Sequence, residues 1–180
     1  MARSMAEGMI APDTALVRER QSPRYVLQGR APALQAAGRL LGLDDAPALL
    51  RAATGAGGTA LRLGPFELLL LPQADDPAGI EAALGAVPHS LVGVSDRNVT
   101  LTLEGPWAAR ILSGLCPLDF AEHAFPVGMA TRSVLEKADA VFWRTAPHRF
   151  HIEVWRSFAA YTENGIREVA RGITFASLAI

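Results

Sequence analysis

The chain has 180 residues, of which 50% are hydrophobic and 19% are charged, and its formal net charge is -1 at pH 7. This composition supports a sizeable core, but the scattered arginines and the one lysine, Lys137, do not form the cationic cluster that nucleic-acid binding needs. A single cysteine excludes an internal disulfide framework and is typical of a reducing compartment. The longest apolar run, residues 68–71, is only strand-sized, and no apolar signal region follows Arg3. The sequence therefore predicts a soluble cytoplasmic protein.

The N-terminal segment, residues 1–22, contains small, polar and charged residues without a sustained hydrophobic period. Such a segment is ordered mainly when another part of the structure holds it. We therefore predict a flexible N-terminal arm at residues 1–22, followed by a single α+β domain at residues 23–180.

The first half of the chain predicts a strand, a helix, two further strands and a second helix. Asp75 or Asp76 is the expected cap of the second helix, and Pro77 lies in its first turn, where proline is tolerated. Apolar periodicity and turn residues place these elements at residues 25–28, 32–41, 59–63, 66–71 and 77–87.

The second half repeats that order. Residues 99–103 alternate apolar side chains with threonines, the pattern of a strand with one buried face. Gly105-Pro106 then opens a helix, and Ser157 is the expected cap of the last helix, whose apolar face begins with Phe158 and Tyr161. A pair of strands is predicted at residues 139–144 and 150–155, and an extra strand outside the repeated order at residues 130–135.

Residues 25–87 and 99–170 thus both predict a β-α-β-β-α order, which indicates an internal duplication. Units of this kind pack their helices on antiparallel sheets. The predicted fold class is α+β, with two pseudo-repeats in one domain.

Residue types that carry chemistry occur without the spacing that catalysis or metal binding needs. Cys116 has no histidine in a motif relation to it, so a buried structural cysteine is expected. His148 and His151 are three apart on a predicted strand and so point to opposite faces. The run 55–58 lacks the lysine of a phosphate-binding loop and is interpreted as a flexible linker. We predict no catalytic, cofactor-binding or metal-binding residue in this chain.

The three tryptophans all lie in the second half of the chain, close in sequence to arginines. Tryptophan and arginine are enriched at the energetic centres of protein interfaces, although large aromatic side chains also fill cores. The candidate partner-interface residues are Trp107, Arg110, Arg132, Trp143, Trp155 and Arg156.

Several sequence motifs, in a consistent order over residues 25–170, are similar to those of one family. They are Arg62-Leu63-Gly64-Pro65-Phe66-Glu67-Leu68-Leu69-Leu70, Val94-Ser95-Asp96-Arg97, Leu103-Glu104-Gly105-Pro106, Cys116-Pro117-Leu118-Asp119-Phe120, Phe125-Pro126-Val127-Gly128 and Arg156-Ser157-Phe158-Ala159. This pattern resembles the gamma subunit of heterotetrameric sarcosine oxidase, and the related gamma-type subunit of N-methylglutamate dehydrogenase is an alternative. At Glu67-Leu68 the chain departs from the aspartate-glutamate-tryptophan run usual in the family.

The resemblance implies a fold like the folate-binding aminomethyltransferase (glycine-cleavage T-protein) family. It also implies a complex that demethylates sarcosine to glycine with formation of hydrogen peroxide and of formaldehyde or 5,10-methylenetetrahydrofolate. In that family FAD, FMN, NAD, tetrahydrofolate and zinc belong to other subunits, and the gamma subunit has no assigned catalytic residue. The expected partners are the alpha, beta and delta subunits, mainly alpha, with the arm and the tryptophan-bearing half docking on alpha.

Two other classes of function remain open at this point. A stand-alone folate-binding enzyme of the same fold would need a buried carboxylate in a central pocket, for which Asp96 and Asp119 are the candidates. A small-molecule-binding regulatory module would need a closed apolar pocket between the two halves.

Overall fold

The computed structural model describes residues 8–178, with side chains through Ile173. The chain divides into two compact units. The central unit comprises Gln21–Arg97 and Gly128–Thr131, and the terminal unit comprises Met1–Arg20, Asn98–Val127 and Arg132–Ile180. Among the described helices, none has the length and apolar character that crossing a membrane requires.

Eleven strands and four α-helices form the described part of the chain. The strands are β1 (Met9–Ala11), β2 (Thr14–Arg18), β3 (Tyr25–Gly29), β4 (Ala52–Gly55), β5 (Gly58–Gly64), β6 (Glu67–Pro72), β7 (His89–Gly93), β8 (Asn98–Glu104), β9 (Ala130–Leu135), β10 (Ala138–Ala146) and β11 (Arg149–Trp155). The helices are α1 (Ala31–Leu40), α2 (Pro77–Leu84), α3 (Ala108–Ser113) and α4 (Ala159–Leu178), with a 3₁₀ turn at Arg156–Phe158 before α4.

The central unit is a five-stranded antiparallel sheet in the order β4-β5-β6-β3-β7, with α1 and α2 packed on one face. The predicted strands and both helices are present, and the Asp76 side chain caps α2 by accepting a hydrogen bond of 2.9 Å from the Gly79 amide. The core between sheet and helices includes Leu27, Leu34 and Leu70, all almost fully buried. Burial of such side chains contributes about 1.5–3 kcal/mol each.

The glycine-rich run at residues 55–58 is a tight hairpin turn between β4 and β5, not the predicted flexible linker. Gly55 pairs with Gly58, and a Cβ atom on Gly55 would lie 2.8 Å from the Gly42 carbonyl. The glycines are therefore explained by the close approach of the turn to the end of α1.

The terminal unit repeats this arrangement in a six-stranded sheet of order β1-β2-β8-β11-β10-β9. In sheet order, β9, β10, β11 and β8 correspond to β4, β5, β6 and β3 of the central unit. Both units have the element order β-α-β-β-β-α along the chain. This confirms the predicted α+β class with helices on antiparallel sheets. Beyond the predicted β-α-β-β-α order, the central sheet has β4 and β7. The terminal sheet has β1, β2 and β9, of which β9 is the strand predicted at residues 130–135.

The described part of the predicted N-terminal arm, residues 8–22, contains the two strands β1 and β2. β2 pairs antiparallel with β8, with Leu16 opposite Leu103, and the Leu16 side chain is 3% exposed. In the central unit, β7 after α2 fills the position beside β3. The N-terminal segment fills the corresponding position beside β8. Residues 1–7 of the predicted arm lie outside the described residues.

The last helix begins later than predicted. Ser157 lies within the 3₁₀ turn, and α4 starts at Ala159. The Thr162 hydroxyl donates to the Ala159 carbonyl at 3.0 Å, so a threonine and not the serine ties the first turn of α4.

Candidate partner-docking surface

Three large aromatic side chains are exposed where β11 passes into α4. Trp155 is 44% exposed, Phe158 39% and Tyr161 41%. The Phe158 and Tyr161 rings contact each other at a centroid distance of 6.4 Å and an interplanar angle of 71°. We call these three residues the aromatic patch. Neighbouring exposed aromatic residues of this kind are typical of surfaces that bind another protein.

The six predicted interface residues lie on different elements of the terminal unit. The Arg110 guanidinium lies 5.7 Å from the Trp107 ring centroid at the start of α3, a cation–π contact. Trp143 on β10 is half-buried, with its ring centroid 5.5 Å from that of His151. Trp155 and Arg156 are exposed at the end of β11, and Arg132 is exposed on β9. Of the six predicted interface residues, Trp107 and Arg110 are therefore in contact with each other, and Trp155 is the one that belongs to the aromatic patch.

Phe158 and Tyr161 were expected on the buried face of the last helix, and the structure corrects this. The buried face of α4 is instead formed by Ala159, Thr162, Ile166, Ala170 and Ile173. The 3₁₀ turn advances the chain by three residues per turn, so it shifts the phase of the helix that follows. The i, i+3, i+7 spacing of Ala159, Thr162 and Ile166 was the signal that could have indicated the true face.

A buried carboxylate is present in the terminal unit, but at a position that the sequence analysis did not select. Asp96 and Asp119 are exposed, and the Asp119 carboxylate accepts from the Ala121 amide at 2.8 Å in a local turn. Glu153 on β11 is 1% exposed and accepts a hydrogen bond of 2.6 Å from the Thr100 hydroxyl on β8. The His151 Nε2 atom lies 2.8 Å from the same carboxylate. This cluster links the two central strands of the sheet through a buried polar contact.

Cys116 and His148, for which the sequence predicts no chemistry, have structural contacts, and His123 is a surface residue. Cys116 is buried, as predicted, with its sulfur 3.6 Å from the Ser133 hydroxyl. His148 lies in the turn between β10 and β11, not on a strand, and its carbonyl accepts from the Gly105 amide at 2.8 Å. His123 is exposed and lies 3.8 Å from Asp119.

The connector between α3 and β9 contains two of the motifs that carry the family resemblance, and a buried arginine holds it. Phe120 and Phe125 pack against Phe142 and Phe150, with centroid distances of 5.2–6.3 Å. The Arg144 guanidinium is 4% exposed, donates to the Phe125 carbonyl at 2.8 Å and to the Phe120 carbonyl at 3.2 Å, and lies over the Phe150 ring. The motif residues of this connector therefore build a core.

The central unit contains an open groove of about 590 Å³ beside the start of β7. Its apolar wall includes Phe66, which is 60% exposed, and Pro88, while Arg30 and His89 supply cationic or ionisable groups. The His89 ring contacts two oxygens, with Nδ1 2.6 Å from the Val87 carbonyl and Nε2 2.8 Å from the Glu81 carboxylate. Both ring nitrogens donate only when the imidazole is protonated.

We expect the contribution of His89 to stability to depend on pH. The hydrogen bond to the Val87 carbonyl, followed by the one to Glu81, raises the pKa of His89 above 6.5. A raised folded-state pKa stabilises the fold fully below the unfolded pKa, and this stabilisation is lost as the pH rises through the folded-state pKa. His89→Gln should therefore lower the free energy of unfolding more at about pH 5.5 than at about pH 8.5, as measured by urea denaturation. The exposed His123→Gln is the control, and an equal loss at both pH values for His89→Gln would contradict the prediction.

Comparison with known proteins identifies the family. A family model described as sarcosine oxidase, gamma subunit family, matches residues 28–170. The sarcosine oxidase subunit gamma of Corynebacterium sp. strain U-96 is 35% identical over 144 residues, 68% of this chain and 70% of that protein. The protein of the same description from Corynebacterium sp. strain P-1 is 29% identical over 170 residues, 89% of this chain and 84% of that protein.

Two solved structures have the same fold over almost the whole chain. A chain of heterotetrameric sarcosine oxidase from Corynebacterium sp. U-96, in complex with pyrrole 2-carboxylate, has a TM-score of 0.83 and 26% identity, and the match covers 95% of this chain and 91% of that one. The glycine cleavage system aminomethyltransferase T from Bartonella henselae has a TM-score of 0.68 and 16% identity over 93% of this chain and 52% of that one, a likeness of fold. The chain belongs to the sarcosine oxidase gamma subunit family.

Proposed function

We propose that this chain is the gamma subunit of a heterotetrameric sarcosine oxidase, with alpha, beta and delta subunits as partners and alpha as the main one. The observation that carries the proposal is the match to a chain of such a complex over 95% of the residues at a TM-score of 0.83. The 35% identity to the sarcosine oxidase subunit gamma of the same strain agrees with this match. In this proposal the chain has no active site of its own and stabilises the alpha subunit in the cytoplasm.

The chemistry then belongs to the other subunits. They carry FAD, FMN, NAD, tetrahydrofolate and zinc, and they oxidise the N-methyl group of sarcosine to give glycine and hydrogen peroxide. The methyl carbon leaves as formaldehyde or as 5,10-methylenetetrahydrofolate. Support for a structural role comes from this chain itself, because its motif residues Phe120, Phe125 and Gly105 lie in packed positions of the terminal unit.

The aromatic patch is the proposed docking surface for the alpha subunit. The three aromatic side chains expose apolar surface at the junction of β11 and α4, and the exposed residue Arg156 follows Trp155 directly. Burying this apolar surface in an interface contributes about 25 cal/mol per Å² to binding, before the costs of association are subtracted. Aromatic side chains lose little rotamer entropy when they are buried in an interface.

The experiment is purification of a tagged chain from its native cells, with the co-purifying subunits, the flavin absorbance and the substrate-dependent peroxide recorded. The proposal requires co-purifying flavin-containing subunits and peroxide formation with sarcosine. Oxidation of N-methylglutamate with an added electron acceptor, and no peroxide with sarcosine, would assign the complex to the related dehydrogenase-type system. Recovery of the chain alone, colourless and monomeric, would overturn the subunit proposal.

Truncating the aromatic patch should weaken assembly without unfolding the chain. We expect Trp155→Ala to cost about 2 kcal/mol of binding, which is roughly 30-fold in the dissociation constant for the remaining complex. Leu49→Ala is the matched control, because Leu49 is 52% exposed but lies in the central unit. Titration of labelled chain into the gamma-free complex measures both constants. Equal affinities for Trp155→Ala and Leu49→Ala would exclude the patch as the docking surface.

A further inference from the structure

The outer edge of β7 is a regular strand edge with no described strand beside it. β7 ends the central sheet and pairs only with β3, in an uninterrupted register from Gly29 opposite His89 to Tyr25 opposite Gly93. Strand edges are normally blunted by charged residues, proline or a bulge. The residues of β7, His-Ser-Leu-Val-Gly, include none of Lys, Arg, Asp, Glu and Pro.

The terminal unit has a strand at the position that is open in the central unit. β2 stands beside β8 as β7 stands beside β3, and β1 covers the outer edge of β2 with Met9 opposite Ala15. β1 is antiparallel to β2. Within one chain, the same sheet therefore occurs once with its sixth strand and once, among the described residues, without it.

The backbone of β7 turns alternate amides toward the open edge. Val94 donates its amide to the Arg24 carbonyl at 2.8 Å, which fixes the hydrogen-bonded positions of the β3–β7 ladder. Antiparallel ladders alternate, so Val92 and Ser90 bond inward to β3. The amides and carbonyls of Leu91 and Gly93 consequently point outward, where they can form hydrogen bonds with a further strand.

Side chains around this edge define what would bind there. Val92 is 51% exposed on β7, and Phe66 is 60% exposed in the groove at the start of the strand. Arg30, which is exposed and lines the same groove, has no ion-pair or hydrogen-bond partner for its guanidinium among the described residues. An occupant with apolar side chains along the strand and a carboxylate near Arg30 would complement both features.

We propose that an extended segment of a partner subunit adds to β7 as an antiparallel sixth strand, with an acidic residue near its C-terminal end facing Arg30. The antiparallel direction puts the C-terminal end of the segment beside His89, where the groove lies. The binding mode is β-strand addition, in which backbone hydrogen bonds supply affinity and side-chain pockets supply selectivity. The proposal rests on the proposed function, since it requires a multisubunit complex.

Amide hydrogen exchange tests the backbone contact directly. In the purified complex, the amides of Leu91 and Gly93 should exchange at least about tenfold more slowly than in the chain alone, the equivalent of one backbone hydrogen bond. The amides of Ser90 and Val92, which already bond to β3, serve as the internal reference. Unchanged exchange of Leu91 and Gly93 in an intact complex would overturn the strand addition while leaving the subunit proposal standing. Protection that depends on the concentration of the chain alone would assign the edge to a second copy and would also overturn it.

Two variants test the edge and the charge separately. Gly93→Pro removes an outward amide and no bond to β3, and we expect it to weaken assembly about tenfold. Its matched control is Gly93→Ala, whose Cβ would meet the Tyr25 ring at an ordinary 3.7 Å. Arg30→Glu should weaken assembly about fivefold, against Arg39→Glu on α1 as the control of equal charge change. Affinities equal to those of the controls would count against the proposal, and the exchange data decide the outcome if Gly93→Pro fails to fold.

Discussion

Arg144→Met is expected to lower the free energy of unfolding by about 3–5 kcal/mol. The guanidinium donates to three carbonyls, those of Phe120, Phe125 and Pro147, at 3.2, 2.8 and 3.1 Å. Methionine fills the volume of the side-chain stem but leaves the buried carbonyls of Phe120 and Phe125 without their donors. The cost of an unmade buried hydrogen bond is about 1–3 kcal/mol, so the loss of these two bonds exceeds any gain from removing a buried charge.

Two further substitutions distinguish the contribution of the planar guanidinium from that of the positive charge alone. Arg144→Lys keeps the charge but cannot donate in three directions from one plane, so we expect it to lose about 2 kcal/mol. Arg149→Met is the control, because the Arg149 side chain is 48% exposed and its ion pair with Glu104 is long, at 3.7 Å. We expect this control to lower the free energy of unfolding by less than about 0.5 kcal/mol. Urea denaturation followed by tryptophan fluorescence measures all three. A loss for Arg144→Met as small as that for Arg149→Met would show that the connector is held without the guanidinium.

Elements defined by local chemistry could be predicted from the sequence. The alternation of Val99, Leu101 and Leu103 with threonines identified β8, and the aspartate–proline pair identified the start of α2. These signals act within a few residues, so they do not depend on what packs against them.

Features set by residues distant in sequence could not be predicted. β2 has only 5 residues, and its pairing with β8 joins Leu16 to Leu103, which are separated in sequence by the central unit's segment Gln21–Arg97. Glu153 is buried because Thr100 on a neighbouring strand stands opposite it, and no local pattern contains that register. Ala140, Phe142 and Arg144 share the buried face of β10, but the Phe120 and Phe125 carbonyls that accept from the arginine come from the connector, which is distant in sequence.

The exposure of the residues in the proposed docking surface was predicted in part. Trp155 and Arg156 were selected from composition, and both are exposed. Phe158 and Tyr161 were assigned to the core because a continuous helix was assumed from Ser157, whereas the 3₁₀ turn rotates them to the surface. A phase change of this kind depends on how the strand end and the helix pack, which is tertiary information.

Gly105→Ala is expected to destabilise the terminal unit by about 3 kcal/mol or more. Gly105 follows β8 at φ +137°, a conformation that side chains other than glycine's rarely adopt. A Cβ atom there would lie 2.5 Å from the Cα atom of Thr14, at the start of β2. Because this neighbour is backbone, no side-chain rotation can relieve the contact, and β2 must move away from β8.

The displacement of β2 gives this substitution a local readout in addition to its effect on stability. Arg18 ends β2 and pairs with Glu163 at 2.6 Å, so tryptic cleavage after Arg18 should be faster in Gly105→Ala under native conditions. Gly172→Ala is the matched control, since nothing lies within 4 Å of its Cβ position in α4, and it should stabilise the chain by up to about 1 kcal/mol. If Gly105→Ala kept both the stability and the cleavage rate of the parent chain, the Gly105-Pro106 motif would not act by letting β2 close against β8. If cleavage accelerates as expected, this family motif is explained by the attachment of the N-terminal strands to the sheet.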